Sequence, residues 1–344
     1  MKTTIYEIAK QANVSIATVS RAINPETRAK VASETLQLIE EVIEKRGYTP
    51  NIAAKNLGKA KFKAIGIIFP HHAGIFLEDY YSKILCGAAD GLLETDYRLK
   101  TVMLKCHKPS WDKYNFQIGE GLDGMIVTHW KAFFSEKSCL EKMNLPTVII
   151  NDIEHNIRAC FVSADHFLGG RLVAEHLYSM GHRDIIVMTG PQNSSDSRNR
   201  LEGFKSFMEQ KRVTISSGSI VCGEFQEEKA YSIIEEVLKQ NKKATAIFCL
   251  NDGMAFGVLR KLKELKIRCP EQISVVGYDG DRRGENTKPA LTTIQVPIYD
   301  LAKRAIELLT KHLDGTASKK KKEFYSKNLL PVKLIERNSV RKIT

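Results

Sequence analysis

Apolar residues recur at two different periods along this chain. Between residues 4 and 24, Ile5, Ile8, Ala9 and Ala12 follow a helical period, and Val14, Val19 and Ile23 resume it on a second segment. That spacing predicts two short amphipathic helices. Thr4 precedes the first run and Glu7 lies three residues on, the spacing at which hydroxyl and carboxylate satisfy the free amides of a helix start. Asn13 interrupts the period, and Asn accepts a positive φ more readily than most residues, so it suits a tight turn. Ser15 is placed to cap a second helix of about nine residues. Ile16, Ala17, Ser20, Arg21 and Asn24 are then left on the outer face. A small face of mixed apolar and hydrogen-bonding groups at a helix N-terminus suits the major groove of DNA. An ordinary helical hairpin is the alternative.

From Ala64 onward the pattern changes. Short apolar runs at 64–69, 101–104, 124–128, 147–151, 185–190, 246–252 and 273–279 alternate with helical periods around 79–95, 166–180, 198–210, 227–240 and 253–265. Uninterrupted apolar strands alternating with helices predict an α/β fold with parallel sheets covered on both faces. Ligands in such folds sit at the C-terminal ends of the strands.

Composition narrows the class. The chain has 344 residues, long enough for two or three domains, and its 43% hydrophobic content and 27% charged content are those of a globular protein. A net charge of +12 favours anionic partners, and Lys55, Lys59, Lys61 and Lys63 concentrate that charge within nine residues. Seven cysteines, an odd number with no C-x-x-C pair, read as reduced thiols of a cytoplasmic protein. No apolar leader and no run of 18 apolar residues is present, so neither a signal peptide nor a membrane partner is expected. Neither G-x-S-x-G, nor a P-loop, nor G-x-G-x-x-G occurs, so the chain is not read as an enzyme and no cofactor is expected. His71 and His72 with Glu78 and Asp79 do not have a zinc spacing. The run Lys319–Lys322 reads as a solvated loop.

Residues 4–57 resemble the DNA-binding headpiece of the lac/galactose repressor family. The recognition-helix pattern V-S-x-x-T-V-S-R-x-x-N is met by Val14, Ser15, Thr18, Val19, Ser20, Arg21 and Asn24, and the hinge pattern Y-x-P-N-x-x-A-x-x-L by Tyr48, Pro50, Asn51, Ala54 and Leu57. Asn13 replaces the family's usual Gly, and Ala32 a Ser that caps the third helix and touches phosphate. The resemblance implies that Ile16 and Ala17 discriminate bases, and apolar groups there would read thymine methyls. Arg21 could reach a guanine edge, while Thr4, Tyr6, Thr18, Ser20 and Asn24 hold phosphates and set register. Asn51, Ala54 and Leu57 share one face of a two-turn helix that is marginal alone. Leu57 makes sense there as a minor-groove wedge, with Lys55 beside it near phosphates. A plain linker is the alternative.

Residues 64 to about 339 resemble the family's effector domain through GGRLVAEHLYSMGHRDIIVMTGP, SRNRLEGF, NDGMAFGVLRKLKELKIRCPEQISVVGYD and LPVKLIERNS. The implied organisation is a helix-turn-helix headpiece over 1–50, a hinge and linker over 51–63, and a two-lobed, periplasmic-binding-protein-like core over 64–340. Its first lobe takes about 64–163 and 297–322, and its second about 164–296 and 323–340. By the same likeness Asp165, Arg200, Phe225, Asn251 and Asp279 face an effector, and Asp252 caps the helix that follows Asn251. Gly280 replaces a second acidic residue that often follows Asp279. His71 and Trp130 lie at strand ends where they could line the cleft mouth, Trp130 by stacking. The expected partners are a pseudo-palindromic operator DNA, a second copy of the chain and a sugar or sugar derivative. The helix bearing Tyr80, Ile84, Leu85 and Ala88 is expected at the dimer interface. A repressor is implied, although whether the effector releases or promotes DNA binding is open. Control by a protein corepressor on the first lobe is an alternative.

Overall fold

The computed structural model describes residues 4–23, 27–46, 62–71, 73–104, 121–128, 145–153, 159–315 and 325–343. The chain divides into two compact units, Met1–Phe62 and Lys63–Thr344.

The first unit holds α1 (Ile5–Gln11), α2 (Ile16–Ile23) and α3 (Ser33–Arg46). The expected capping box is present: Thr4 N donates to Glu7 Oε2 at 2.8 Å and Glu7 N to Thr4 Oγ1 at 3.4 Å. Asn13 takes φ 51°, the left-handed turn conformation. Thr18 N donates to Ser15 Oγ at 3.1 Å, which starts α2. Ile8, Ala9, Ala12, Val19, Ala22, Ile39 and Val42 form the core of this unit, and Val14 and Ile23 pack against it.

In chain order the second unit contains β1 (Ala64–Pro70), α4 (Asp79–Gly91), β2 (Arg98–Leu104), β3 (Gly124–Thr128), β4 (Thr147–Ile150) and β5 (Cys160–Ala164). There follow α5 (His166–Ser179), β6 (Ile185–Thr189), α6 (Ser195–Gln210), β7 (Ile220–Cys222), α7 (Glu227–Gln240), β8 (Ala246–Cys249), α8 (Asp252–Glu264) and β9 (Ser274–Val276). The last elements are β10 (Thr293–Gln295), α9 (Ile298–Leu313), β11 (Lys327–Leu330) and β12 (Lys333–Ile335). One lobe is a six-stranded sheet in the order β11-β5-β4-β3-β1-β2, and the other a four-stranded sheet in the order β7-β6-β8-β9. All neighbours in both sheets are parallel. Every residue of β3, β4, β5, β6 and β8 is buried, as helices on both faces require. β10 and β12 pair antiparallel in a separate ribbon.

Two differences from the sequence reading matter. Residues 323–340 were expected wholly in the second lobe, yet β11 pairs with β5 through Lys327↔Phe161 to Leu330↔Ala164. The outer edge of β5 would otherwise leave amides and carbonyls without partners. On the helix expected to contribute to a dimer interface, Ile84 and Ala88 are fully buried within this chain, so neither side chain can itself reach a second copy. α4 packs there on α9, and the approach is close enough that a Cβ on Gly87 would lie 2.1 Å from Tyr299 O. Among the described residues, no helix is long and apolar enough to cross a membrane.

Candidate DNA-reading helix and ligand cleft

The outer face of α2 is built as its period requires. Val19 and Ala22 are buried, and Ala17, Ser20 and Arg21 are exposed. Ile16 is 40% exposed and takes no part in the core around α3. Thr18 is half-buried, with its hydroxyl 2.8 Å from that of Ser15. Thr4 is exposed at the start of α1, and Tyr6 projects from it 69% exposed. An exposed Ile and an exposed Tyr in so small a unit are available for a partner surface. Asn24, Tyr48, Asn51, Ala54, Lys55 and Leu57 lie outside the described residues, as does Trp130.

In the second unit, a cavity of about 650 Å³ opens between the two sheets at the C-terminal ends of their strands. The first lobe contributes Tyr80, Tyr81, Asn151 and Asp152, and the second Asp196, Arg200, Phe225, Asn251 and Asp279. Arg200 is carried by α6, which lies almost in contact with α5. A Cβ on Gly170 would be 1.9 Å from Arg200 O, and one on Gly203 1.9 Å from Phe167 O. Only glycine permits that approach.

The Arg200 side chain is 6% exposed and lies 3.2 Å from Asp279 Oδ1. It donates to Leu250 O and lies over the Tyr278 ring at 4.0 Å. Burial works against its charge, but the Asp279 carboxylate beside it holds the guanidinium pKa above its ordinary value. Asp279 itself adopts φ 111° and is followed by Gly280 at φ 73°. This sharp reversal after β9 turns the carboxylate toward Arg200. Phe225, at φ 62°, lays its ring where a Cβ on Gly190 would stand.

Asn251 lines the cavity and also takes the capping role expected of Asp252. Asn251 has the extended backbone of an N-cap, and its Oδ1 accepts from Met254 N at 2.9 Å while Nδ2 donates to Phe225 O at 3.1 Å. It lines the cavity with both polar atoms already engaged. Asp252 is 1% exposed and does not cap the helix. It accepts from Thr293 Oγ1 and Asp281 N, each at 2.7 Å. Burial, with Asp279 nearby, pushes its carboxyl up to about 8. Asp165 caps α5 by accepting from Leu168 N at 2.9 Å and does not line the cavity. His71 is exposed after β1 and also lies outside the lining.

Two sets of contacts join the lobes across the cavity. Asn151 and Asp152 follow β4 at φ 62° and φ 44°. Asp152 N donates to Asp196 Oδ1 at 3.0 Å, while Ser195 N and Oγ donate to Asp152 Oδ1 at 3.1 Å. Across the cavity, Arg282 Nε donates to Asp79 Oδ1 at 2.8 Å, and Lys83 Nζ to Gly280 O at 3.1 Å. Sequence reasoning missed Asp152, Asp196, Tyr81 and the cleft position of Tyr80. The single local signal was the placement of Asp152 directly after a strand.

The headpiece geometry and the two-sheet cleft are matched by known proteins. The profile of the bacterial regulatory proteins of the lacI family matches residues 4–51, and that of the periplasmic-binding-protein-like domain matches residues 174–340. The HTH-type transcriptional repressor PurR of Salmonella paratyphi B is 32% identical over 343 residues, covering 98% of this chain and 96% of that protein. The chain belongs to the lacI family. This lacI-family protein is a DNA-binding transcriptional regulator of the repressor type, with a helix-turn-helix domain ahead of a periplasmic-binding-protein-like one. Its fold matches the lac repressor dimer bound to operator and the anti-inducer ONPF, with a TM-score of 0.82 at 23% identity over 99% of this chain and 100% of that one. A lacI-family regulator from Enterococcus faecium with bound ribose matches with a TM-score of 0.68 at 27% identity, over 82% of this chain and 100% of that one.

Proposed function

We propose that this regulator binds a pseudo-palindromic operator as a homodimer, with α2 in the major groove and Leu57 wedged into the minor groove. Ile16 and Ala17 face bases, Arg21 reaches a guanine, and Thr4, Tyr6, Thr18 and Ser20 hold phosphates. A small effector, a sugar or sugar derivative, sits between the lobes and sets operator affinity by biasing their closure. The Arg200–Asp279 pair on the wall of a 650 Å³ cavity carries the effector reading. A guanidinium donates and a carboxylate accepts, so together they engage adjacent hydroxyls in both senses, while Phe225 and Tyr81 offer apolar faces to a ring. The ribose held by the Enterococcus faecium relative supports a ligand of this size and chemistry.

The test uses the full-length chain in a thermal-shift panel of pentoses, hexoses, disaccharides, sugar phosphates, nucleosides and purine bases. The expected result is stabilisation by a sugar class, and the stabilising compound should change operator affinity in fluorescence anisotropy. Stabilisation by nucleosides or bases alone would overturn the sugar assignment. No stabilisation by any member would overturn the effector reading of the cleft and favour a protein corepressor.

A further inference from the structure

Beneath the cleft lies a buried histidine that the proposed function does not use. His166, 2% exposed, is the first residue of α5. Arg200 Nε donates to His166 Nδ1 at 3.3 Å, and Tyr278 Oη lies 3.2 Å from the same nitrogen. Arginine has only donors, so Nδ1 must be the acceptor and the ring proton must sit on Nε2. Among the described residues Nε2 makes no direct hydrogen bond and faces Asp196 Oδ2 in a longer contact of 3.4 Å. The other oxygen of Asp196 accepts from Asp152 N at 3.0 Å, and Asp152 in turn accepts from Ser195. The path Arg200–His166–Asp196–Asp152 therefore runs from the cavity wall to a contact between the lobes. Arg200 only donates and Asp196 only accepts, and the His166 ring lies between them.

We propose that His166 is a positioning residue that couples the orientation of Arg200 to the Asp152–Asp196 contact between the lobes. The role of that coupling in regulation rests on the effector reading of the cleft; its existence does not. A ligand that draws the guanidinium toward the cavity pulls on Nδ1, and the ring transmits the shift to Asp196. Such a joint needs a neutral side chain that accepts at one end and donates at the other. Glutamine can do both and leucine neither.

Hydrogen exchange by mass spectrometry on the ligand-free, full-length protein tests this. His166→Leu should raise exchange about tenfold in peptides spanning 150–153 and 192–200, the effect of losing one buried hydrogen bond. Exchange in α7 and α8 should not change, and His166→Gln should restore protection. A rise spread evenly over the second lobe, or a glutamine variant no better than leucine, would reduce His166 to a packing residue and overturn the proposal. If His166→Leu does not fold, Arg200→Met tests the same joint from its other end, since Arg200 reaches Asp196 through His166: a local rise at 150–153 supports the coupling and its absence overturns it. No ligand is present in these measurements, so failure of the thermal-shift panel is distinguishable from failure of this joint.

Discussion

Replacing Arg200 by Met retains the length of the side chain and removes its charge. The carboxylate of Asp279 would then face Phe225 and Tyr278 without a cation. Removing one partner of a buried ion pair costs about 3–5 kcal/mol. Asp279 keeps 21% of its side-chain surface exposed, so water can recover part of that, and the lower end, about 3 kcal/mol, applies. At about 2 °C per kcal/mol for a domain of this size, the melting temperature should fall by about 6 °C. Asp279→Asn leaves Arg200 its contact with Leu250 O and should cost less. In the double variant neither charge is stranded, so the loss should be smaller than the sum of the two single losses by about 1–3 kcal/mol. Four proteins melted in parallel at neutral pH give the cycle. Additive losses would mean that the 3.2 Å contact carries no coupling, and with it would go the argument that this pair is the polar anchor of the cleft.

Three further outcomes are expected. Asp252 has its carboxyl pushed up to about 8 from an ordinary 3.8, so the folded protein holds a proton there that the unfolded chain releases. Its stabilisation is full below about pH 4, fades as pH rises toward 8 and is absent above. His176 and His182, held low by burial, act oppositely as pH falls through 6.5, so melting wild type beside Asp252→Asn from pH 5 to 8.5 isolates the aspartate as a narrowing gap; a constant gap would count against the shift. Gly170→Ala drives a Cβ into Arg200 O, a backbone atom that cannot swing aside. It should cost about 1–3 kcal/mol by melting and weaken effector binding, and a neutral result would mean that α5 and α6 part freely. Thr4→Ala removes half of the capping box and should cost α1 about 1 kcal/mol, seen as about fivefold faster exchange of its amides with no change in α5 or α6.

What could be read from the sequence followed the range of the interactions. Thr4 with Glu7, Asn13 and Ser15 each act within three or four residues, so the headpiece helices emerged from spacing alone. The strands of both sheets stood out because a parallel sheet buried on both faces leaves continuous apolar runs. Family likeness placed Arg200 and Asp279 on the cleft, but 79 residues separate them and their contact with each other was not legible. The cap was assigned to Asp252 rather than to Asn251 because two neighbouring polar residues look alike as caps. Only the fold shows that Asp252 is enclosed by Thr293 and the amide of Asp281. His166, Asp196 and Asp152 went unread because each draws its role from another strand or helix end. The placement of β11 beside β5 was missed for a related reason: Lys327–Leu330 is short and alternately exposed, and nothing within it names its neighbour.

That strand has a consequence for synthesis. A ribosome delivers β5 about 160 residues before it delivers β11. During that interval the outer edge of β5 is open, and the six-stranded sheet, although most of it has emerged early, cannot close. The headpiece can fold as soon as it leaves the exit tunnel, but neither lobe of the core can be completed until some 330 residues exist. Nascent chains of this protein should therefore present an unpaired strand edge to chaperones, and a stall before Lys327 would cripple the lobe made first.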